Sequence, residues 1–396
     1  MRLLFIADGR SPIALNWIQY FVERGEEVHL VSTFPCVPEL RLASLTIVPA
    51  AFGEMAGEWG SRGMEEKRGK GRWWKMVPRG MRTAFRQWLG PFTLPGAARR
   101  LRKLISAIQP DLIHAMRIPY EGMVTAMALG KHSSLPFLVS IWGNDFTLHA
   151  HSTPLMAYCT RYTLRRAHAL HTDCQRDRRL ADEWGFSSLR PTVVLPGNGG
   201  IQLDVFYPPS GLSQKVVSTI INPRGFRAYV RNDTFFRAIP LVLEQKPETR
   251  FLCPAMANEA QALRWVDELG IAATVELLPK ISRLQMADLF RQAQVAVSIT
   301  THDGTPNTLL EAMACGCFPI AGDINSLREW ITPGVNGLLV EPTNPRTLAE
   351  AMIQALEQPA LRTRAAEQNT RLIAERAEYG RVMGEAEKFY GGLIGR

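Results

Sequence analysis

The feature that most constrains this chain is a repeated alternation of short apolar runs with amphipathic stretches, on both sides of one Gly- and Pro-rich break. Arg2-Leu-Leu-Phe-Ile-Ala7 has the length and composition of a strand buried on both faces. Residues 13–24 carry apolar positions at helical spacing, Gly25 stops that helix, and Glu27-Val-His-Leu-Val-Ser32 reads as the next strand. The pattern returns at Asp111-Leu-Ile-His114, at a helix over 121–129 and at Phe137-Leu-Val-Ser-Ile-Trp142. The break runs from Pro196-Gly-Asn-Gly-Gly200 to Pro208-Pro-Ser-Gly211. Past it, strands are expected at 216–221, 250–253, 274–278, 293–298, 317–321 and 337–340, with helices over 234–245 and 258–269. Such repetition predicts parallel sheets covered by helices on both faces, in two domains that face each other across a cleft. Ligands of such sheets bind beyond the carboxyl ends of the strands. The expected division is 1–200, 213–373, and a tail over 374–396 whose helix packs back on the first domain.

Composition narrows the class. With 46% apolar and 21% charged residues over 396 positions, the chain is not intrinsically disordered, and its length allows two to three full cores. The opening apolar run is too short for a secretory signal, and no run approaches the roughly 18 to 20 residues a spanning helix needs. The expectation is a cytoplasmic protein. Six cysteines are too few to staple a chain this long and read as reduced, mostly buried thiols. No Gly-x-Gly-x-x-Gly follows the first strand, no Walker-type loop is present, and no Asp-x-Asp occurs. These absences weigh against a nicotinamide cofactor and against a metal-bridged diphosphate, so neither cofactor nor metal is expected.

The most informative stretch is His302-Asp-Gly-Thr-Pro-Asn-Thr-Leu-Leu-Glu-Ala-Met-Ala-Cys-Gly316, after an expected buried strand. Asp303-Gly304 signals a turn, Thr305 suits an N-cap, and Pro306 suits the first helical position. A strand, a glycine turn and a helix N-terminus together favour an anion such as phosphate. Glu311 lies five residues past Pro306, about 7.5 Å along a helix axis. Ionised carboxylates only accept, so Asp303 and Glu311 suit the vicinal hydroxyls of a ribose or a hexose. The plainer reading makes Asp303 a turn residue and Glu311 a solvated charge. The apolar neighbours Leu309, Leu310, Ala312 and Met313 argue against the second half of that reading.

At these residues the chain resembles the retaining glycosyltransferases of family 4, which have the GT-B fold. Their signature is two acids separated by seven residues and followed by Ala-Met-Ala-Cys/Ser-Gly, here Asp303, Glu311 and Ala312-Met-Ala-Cys-Gly316. The resemblance extends to Asn16-Trp17, Ile141-Trp-Gly-Asn-Asp145, Pro196-Gly-Asn-Gly199 and Gly334-Val-Asn-Gly-Leu-Leu339. It implies an α/β GT-B enzyme, two Rossmann-like domains facing across a cleft, that transfers a hexose from a nucleoside-diphosphate sugar, UDP-sugar above others. Glu311 would hold the ribose hydroxyls and Asp303 the donor hexose, where the family usually has the longer Glu. Gly304, Thr305, Pro306 and Asn307 would approach the sugar and diphosphate. The family's basic pair maps to Arg224 and Arg231, with Arg227 as a further donor contact, although the usual Gly-Arg…Lys-Gly spelling is absent. Arginines so placed offset the charge of a departing diphosphate without a metal. Gly9 would bring the loop after the first strand to the phosphates. His114 and Asp145 are candidates for the acceptor side.

Residues 62–103 carry thirteen Lys and Arg against Glu65 and Glu66, a net charge of +11, while the rest of the chain sums to −2. The overall excess of +9 is therefore local. Aromatic residues interleave with the cations, the composition of a segment that lies on an anionic membrane surface. Trp73, Trp74, Arg79, Arg82, Arg86 and Trp88 are the expected contacts. The plainer reading is a solvated loop, and no nucleic-acid recognition fold is visible. The sequence thus predicts a peripheral enzyme on the inner face of the membrane, with a glycan or lipid-linked acceptor and a product in polysaccharide or glycolipid synthesis. An epimerase of the same fold, or a non-catalytic scaffold binding membrane or partners, are the competing readings.

Overall fold

A computed structural model describes residues 1–55, 79–130, 133–209, 218–227 and 229–395. The chain forms two compact units, Met1–Gly199 with Met383–Arg396, and Gly200–Val382. Both are built on all-parallel sheets, the architecture that the alternation predicts.

In the first unit seven strands run β3-β2-β1-β4-β5-β6-β7. They are β1 (Arg2–Ala7), β2 (Glu27–Ser32), β3 (Ser44–Ile47), β4 (Leu112–Ala115), β5 (Phe137–Ile141), β6 (Ala169–Thr172) and β7 (Thr192–Val194). The helix Pro12–Glu23 that returns the chain from β1 to β2 has Pro at its start and Ser11 as a side-chain cap, and it buries Ala14, Trp17, Ile18 and Phe21. The last helix, Tyr379–Leu393, places Tyr390 against Phe21, ring centres 4.6 Å apart and stacked.

A chain of polar groups runs through this core. Trp17 Nε1 donates to Tyr390 Oη (2.9 Å), whose hydroxyl pairs with His114 Nδ1. His114 Nε2 meets Ser140 Oγ (2.7 Å), Ser140 meets His171 Nδ1 (2.7 Å), and His171 Nε2 meets the Leu195 carbonyl (2.9 Å). The carbonyl can only accept, so the direction of the whole chain follows: both histidines are neutral, each donating from Nε2. Burial holds both below the ordinary histidine range, His171 at about 4.

In the second unit six strands run β10-β9-β8-β11-β12-β13. They are β8 (Thr219–Ile221), β9 (Arg250–Cys253), β10 (Val275–Leu277), β11 (Val295–Ser298), β12 (Phe318–Gly322) and β13 (Leu338–Val340). Ile220, Val295 and Val297 enter one apolar cluster, while Ile221 and Ala296 enter another on the opposite face. Alternation of side chains to opposite faces explains why these strands read as continuous apolar runs.

Several expectations shift. The pattern did not mark β3, β6 or β7, whose Ser, Thr and His residues dilute the apolar signal. His171 and Thr172 are nonetheless buried because each has a hydrogen-bond partner. The helix expected over 121–129 begins at Met123, since Ile118–Gly122 is a wide turn with Tyr120 at φ 70°. The later part of the basic segment is no appendage. Leu94–Ile108 is a helix of the first unit that buries Leu94, Ala97, Ala98 and Leu101 and turns Arg99, Arg100 and Arg102 outward. Trp73 and Trp74 lie outside the described residues. The six cysteines are free, and all but Cys36 are buried.

Candidate active site

In the second sheet the strand order reverses between β8 and β11, the place where doubly wound folds bind ligands. The loops leaving these two strands carry most of the residues singled out in the sequence. After β8, the backbone turns through Gly225 at φ 60°. Asn222 and Asn232 fix that turn: Asn222 Nδ2 donates to Asn232 Oδ1 (3.0 Å), and Asn232 Nδ2 donates to the Gly225 carbonyl (2.9 Å). The Arg224 amide donates to Asn222 Oδ1 (3.3 Å). Neither asparagine was flagged by sequence; they bound the loop between β8 and the helix Asn232–Leu243.

Arg224 then reaches the loop after β11. Its Nη2 pairs with Asp303 Oδ2, and its Nη1 donates to Thr308 Oγ1 (3.3 Å). The opposite carboxylate oxygen of Asp303 accepts from the Gly304 amide (3.2 Å), and its carbonyl accepts from Ser326 Oγ (2.7 Å). Asp303 is thus held at both its side chain and its backbone, which an ordinary turn residue is not. Thr305 Oγ1 accepts from Trp330 Nε1 (3.1 Å), so its hydroxyl serves the loop and not the helix. The helix runs Asn307–Ala314 with Pro306 as N-cap, one residue later than the sequence suggests, and no side chain caps it. Its first amides therefore keep their hydrogen-bonding capacity at the positive end of the helix. Four buried polar atoms of this region have no partner among the described residues: Arg224 Nε, Ser298 Oγ, Thr300 Oγ1 and Asn307 Oδ1.

Arg231 is placed differently from Arg224. It pairs with Asp233 through two contacts (2.8 and 2.6 Å), which holds that carboxyl below the usual range, and its side chain is 30% exposed. Arg227 Nη1 meets the Tyr229 hydroxyl (3.2 Å). Glu311 is buried, as its apolar neighbours require, and burial pushes its carboxyl up to about 7 against the opposing pull of Arg283. Arg283 Nε lies 3.7 Å from Glu311 Oε1, while its Nη1 donates to Gln202 (3.0 Å). That partner was missed: Arg283 follows Ser282, the cap of its own helix, and looks like a surface residue in sequence.

The first-unit candidates are all interior. Gly9 donates to Ser32 Oγ (3.0 Å), and a Cβ there would collide with Cys36 Sγ, so packing alone requires glycine. His114 spends both ring nitrogens in the core chain described above. Asp145 is ion-paired with Arg117 and accepts from the Trp142 amide (3.2 Å), fixing the loop after β5. Both His114 and Asp145 are buried. Asn16, part of the family resemblance, donates to the Asn198 carbonyl (2.6 Å), and Asn336 bonds Asn369 (2.9 Å); both fix backbone.

Arg79 opens the helix Arg79–Leu89, which has two faces. Met81 and Trp88 are exposed, Trp88 at 61%, and Phe92 beyond the helix at 71%. Arg82 and Arg86 lie on the other side, each with Nε buried. Among the described residues one group can hold a metal ion, Asp173, Cys174 and Asp177, and Arg176 already pairs with Asp177 at 2.7 Å. It includes neither Asp303 nor Glu311. A cleft of about 860 Å³ in the first unit is lined by Tyr158, Arg161, Tyr162 and Arg190. It lies at the amino ends of β5 and β6, away from every residue discussed so far.

Known proteins resemble the chain in sequence and in fold. Residues 218–372 match the family described as glycosyl transferases group 1, and residues 9–197 match the glycosyl transferase 4-like domain. The D-inositol 3-phosphate glycosyltransferase of Thermobispora bispora is 27% identical over 199 residues, 46% of each chain. That of Mycolicibacterium smegmatis is 29% identical over 186 residues, 44% of this chain and 42% of the relative. The alignments thus span less than half the length of these curated relatives. In fold the chain is similar to sucrose-phosphate synthase from Thermosynechococcus elongatus, at TM-score 0.76, 16% identity and full coverage of both chains. It is also similar to Anabaena HepE in complex with UDP, at TM-score 0.72 and 14% identity, over 99% of this chain and 100% of that one.

Proposed function

Since the chain belongs to the glycosyl transferases group 1 family and carries a 4-like first domain, we propose that it is a retaining hexosyltransferase. The donor is a UDP-sugar, bound by the second unit without a metal ion. The observation that carries this reading is Arg224 held on Asp303 and Thr308 beside the uncapped start of helix Asn307–Ala314. A diphosphate at that helix end meets free amides and the guanidinium, while Asp303 and Glu311 accept from sugar hydroxyls on either side. In the reaction the bond from the sugar's anomeric carbon to the diphosphate oxygen breaks, and its electron pair stays on the diphosphate. A bond to the acceptor oxygen forms on the same face, and the acceptor proton passes to the departing diphosphate. Arg224 stabilises the charge that collects there.

The acceptor is a glycan or lipid-linked molecule at an anionic membrane surface on the cytoplasmic side. Exposed Met81, Trp88 and Phe92 within the +11 segment support that placement. No helix among the described residues is long and apolar enough to cross a membrane.

Calorimetric titration with a panel of nucleotide sugars tests the donor reading. UDP and one UDP-sugar are expected to bind, with slow hydrolysis of that sugar. Interconversion of the sugar would make the protein an epimerase, and absence of any binding would make it a scaffold. Flotation with anionic vesicles tests the location: binding is expected at low salt, and it should fall when residues 62–92 are deleted.

A further inference from the structure

The first sheet also reverses order, between β1 and β4, and the loops beyond the carboxyl ends of β1, β2 and β4 meet there. Three arginines face this place. Arg10 pairs with Asp8 (2.9 Å), and Arg117 pairs with Asp145. Arg86 has no ion-pair partner among the described residues, and its Nε is buried without an acceptor. Its Cζ lies 5.0 Å from the centre of the Phe34 ring and 5.1 Å from that of Tyr120, while Arg10 covers Phe34 at 3.7 Å. Arg82, one turn earlier on the same helix face, also has a buried Nε without an acceptor. The remaining carboxyl, Glu121, accepts from Thr33 Oγ1 (2.7 Å), and burial pushes it up to about 7. The residue between these groups, Tyr120, holds a left-handed backbone at φ 70°, and its hydroxyl donates to the Arg86 carbonyl (2.9 Å). Strain of this kind persists where the surroundings fix it, and it clusters at binding sites.

A guanidinium set over two rings, with no ion pair among the described residues and only the more distant Glu121 and Asp8 acting on it, is well matched to a planar or tetrahedral oxyanion. Arg82, with its own Nε buried one turn away on the same helix face, adds a second cation, and two cations favour a phosphate over a singly charged group. We propose that the first unit binds an acceptor bearing a phosphoester, which docks on Arg86 beside Phe34 and Tyr120 at the β1–β4 reversal. This names the acceptor class and rests on the transferase reading above. It also moves Arg82 and Arg86 from a membrane-contact role to the inner face of their helix, leaving Trp88 outward.

The test uses the full chain and three probes in parallel: UDP, glucose 6-phosphate against glucose, and phosphatidylcholine vesicles with and without phosphatidic acid. With UDP bound, glucose 6-phosphate is expected to bind at least tenfold more tightly than glucose. Arg86→Gln should erase that gap, Arg86→Lys should keep part of it, and UDP affinity should stay within about twofold in both. A gap confined to phosphatidic acid vesicles and erased by R86Q supports the same site with a lipid-borne phosphoester. No preference in either pair of probes, or a preference that R86Q leaves intact, overturns the proposal while UDP binding stands. Failure of UDP to bind strikes the transferase reading instead.

Discussion

The two units place their candidate sites at the same topological position and equip them in opposite ways. At the β8–β11 reversal the principal cation is already paired, Arg224 on Asp303, and the loop behind it is fixed by Asn222 and Asn232. At the β1–β4 reversal two arginines are paired, and a third, Arg86, has no ion pair among the described residues and lies over aromatic faces. A pre-paired cation is oriented before ligand arrives, so little ordering remains to be done on binding. An unpaired one gains a counter-charge on binding and so discriminates strongly for charged ligands. The shared topology supplies the location; the loop residues decide whether a site is poised for turnover or for selection.

The comparison breaks most visibly at Arg224. Arg224→Ala should lower turnover about 10²- to 10³-fold, the scale of losing one transition-state charge contact. Arg231→Ala should lower it less, because Arg231 is engaged with Asp233 and partly exposed. The denaturant midpoint should fall for Arg224→Ala, which leaves Asp303 unpaired, and move little for Arg231→Ala, so turnover is compared at equal folded fraction. Equal losses, or none, would remove the distinction drawn between the two arginines.

Acidification contrasts the core of the first unit with the site of the second. His171 is neutral when folded, at about 4 against an ordinary 6.5, so the unfolded chain binds the extra proton. Its contribution is present above pH 6.5 and is lost as pH falls toward 4, on the order of 3 kcal/mol in all. Glu311 has the opposite sign. Its folded carboxyl is raised to about 7, so stability falls as pH rises from about 4.5 to 7. Replacing His171 by Gln should flatten the acid limb of the stability profile, and Glu311→Gln should flatten the limb between 4.5 and 7. On the proposed reading, in which Glu311 holds the ribose hydroxyls, UDP affinity should rise as Glu311 ionises and lose that rise in the same Gln variant.

The smallest expected effect is at Tyr390. Tyr390→Phe leaves Trp17 Nε1 and His114 Nδ1 without their shared hydroxyl, a cost of about 1–3 kcal/mol read from chemical denaturation. Hydrogen exchange in residues 383–393 should report the loosening first, with the second unit unaffected.

Much of this was legible beforehand because parallel strands buried on both faces leave a continuous apolar run, and each helix leaves a periodic one. Asp303 and Glu311 stood out because they sit on a strand–turn–helix pattern among apolar neighbours, whereas Arg224 was marked only by the family resemblance. The partners Arg283, Asn222 and Asn232 did not, since each is remote in sequence from what it touches or too common in loops to be noticed. Arg82 and Arg86 were read by composition as lipid contacts, and composition carries no information on which side of a helix a cation faces.

The sequence by itself determined the alternation, hence the two parallel sheets, and the strand–turn–helix bearing the two acids. Both are local patterns, set by side-chain periodicity and capping within a few residues. Only the tertiary structure decided which charges are paired. Pairing depends on loops from different strands meeting at a sheet reversal: Arg224 with Asp303, Glu311 with Arg283, and Arg86 with no carboxylate among the described residues. Coulombic contacts act over a few ångströms in space, and separation along the chain does not record them.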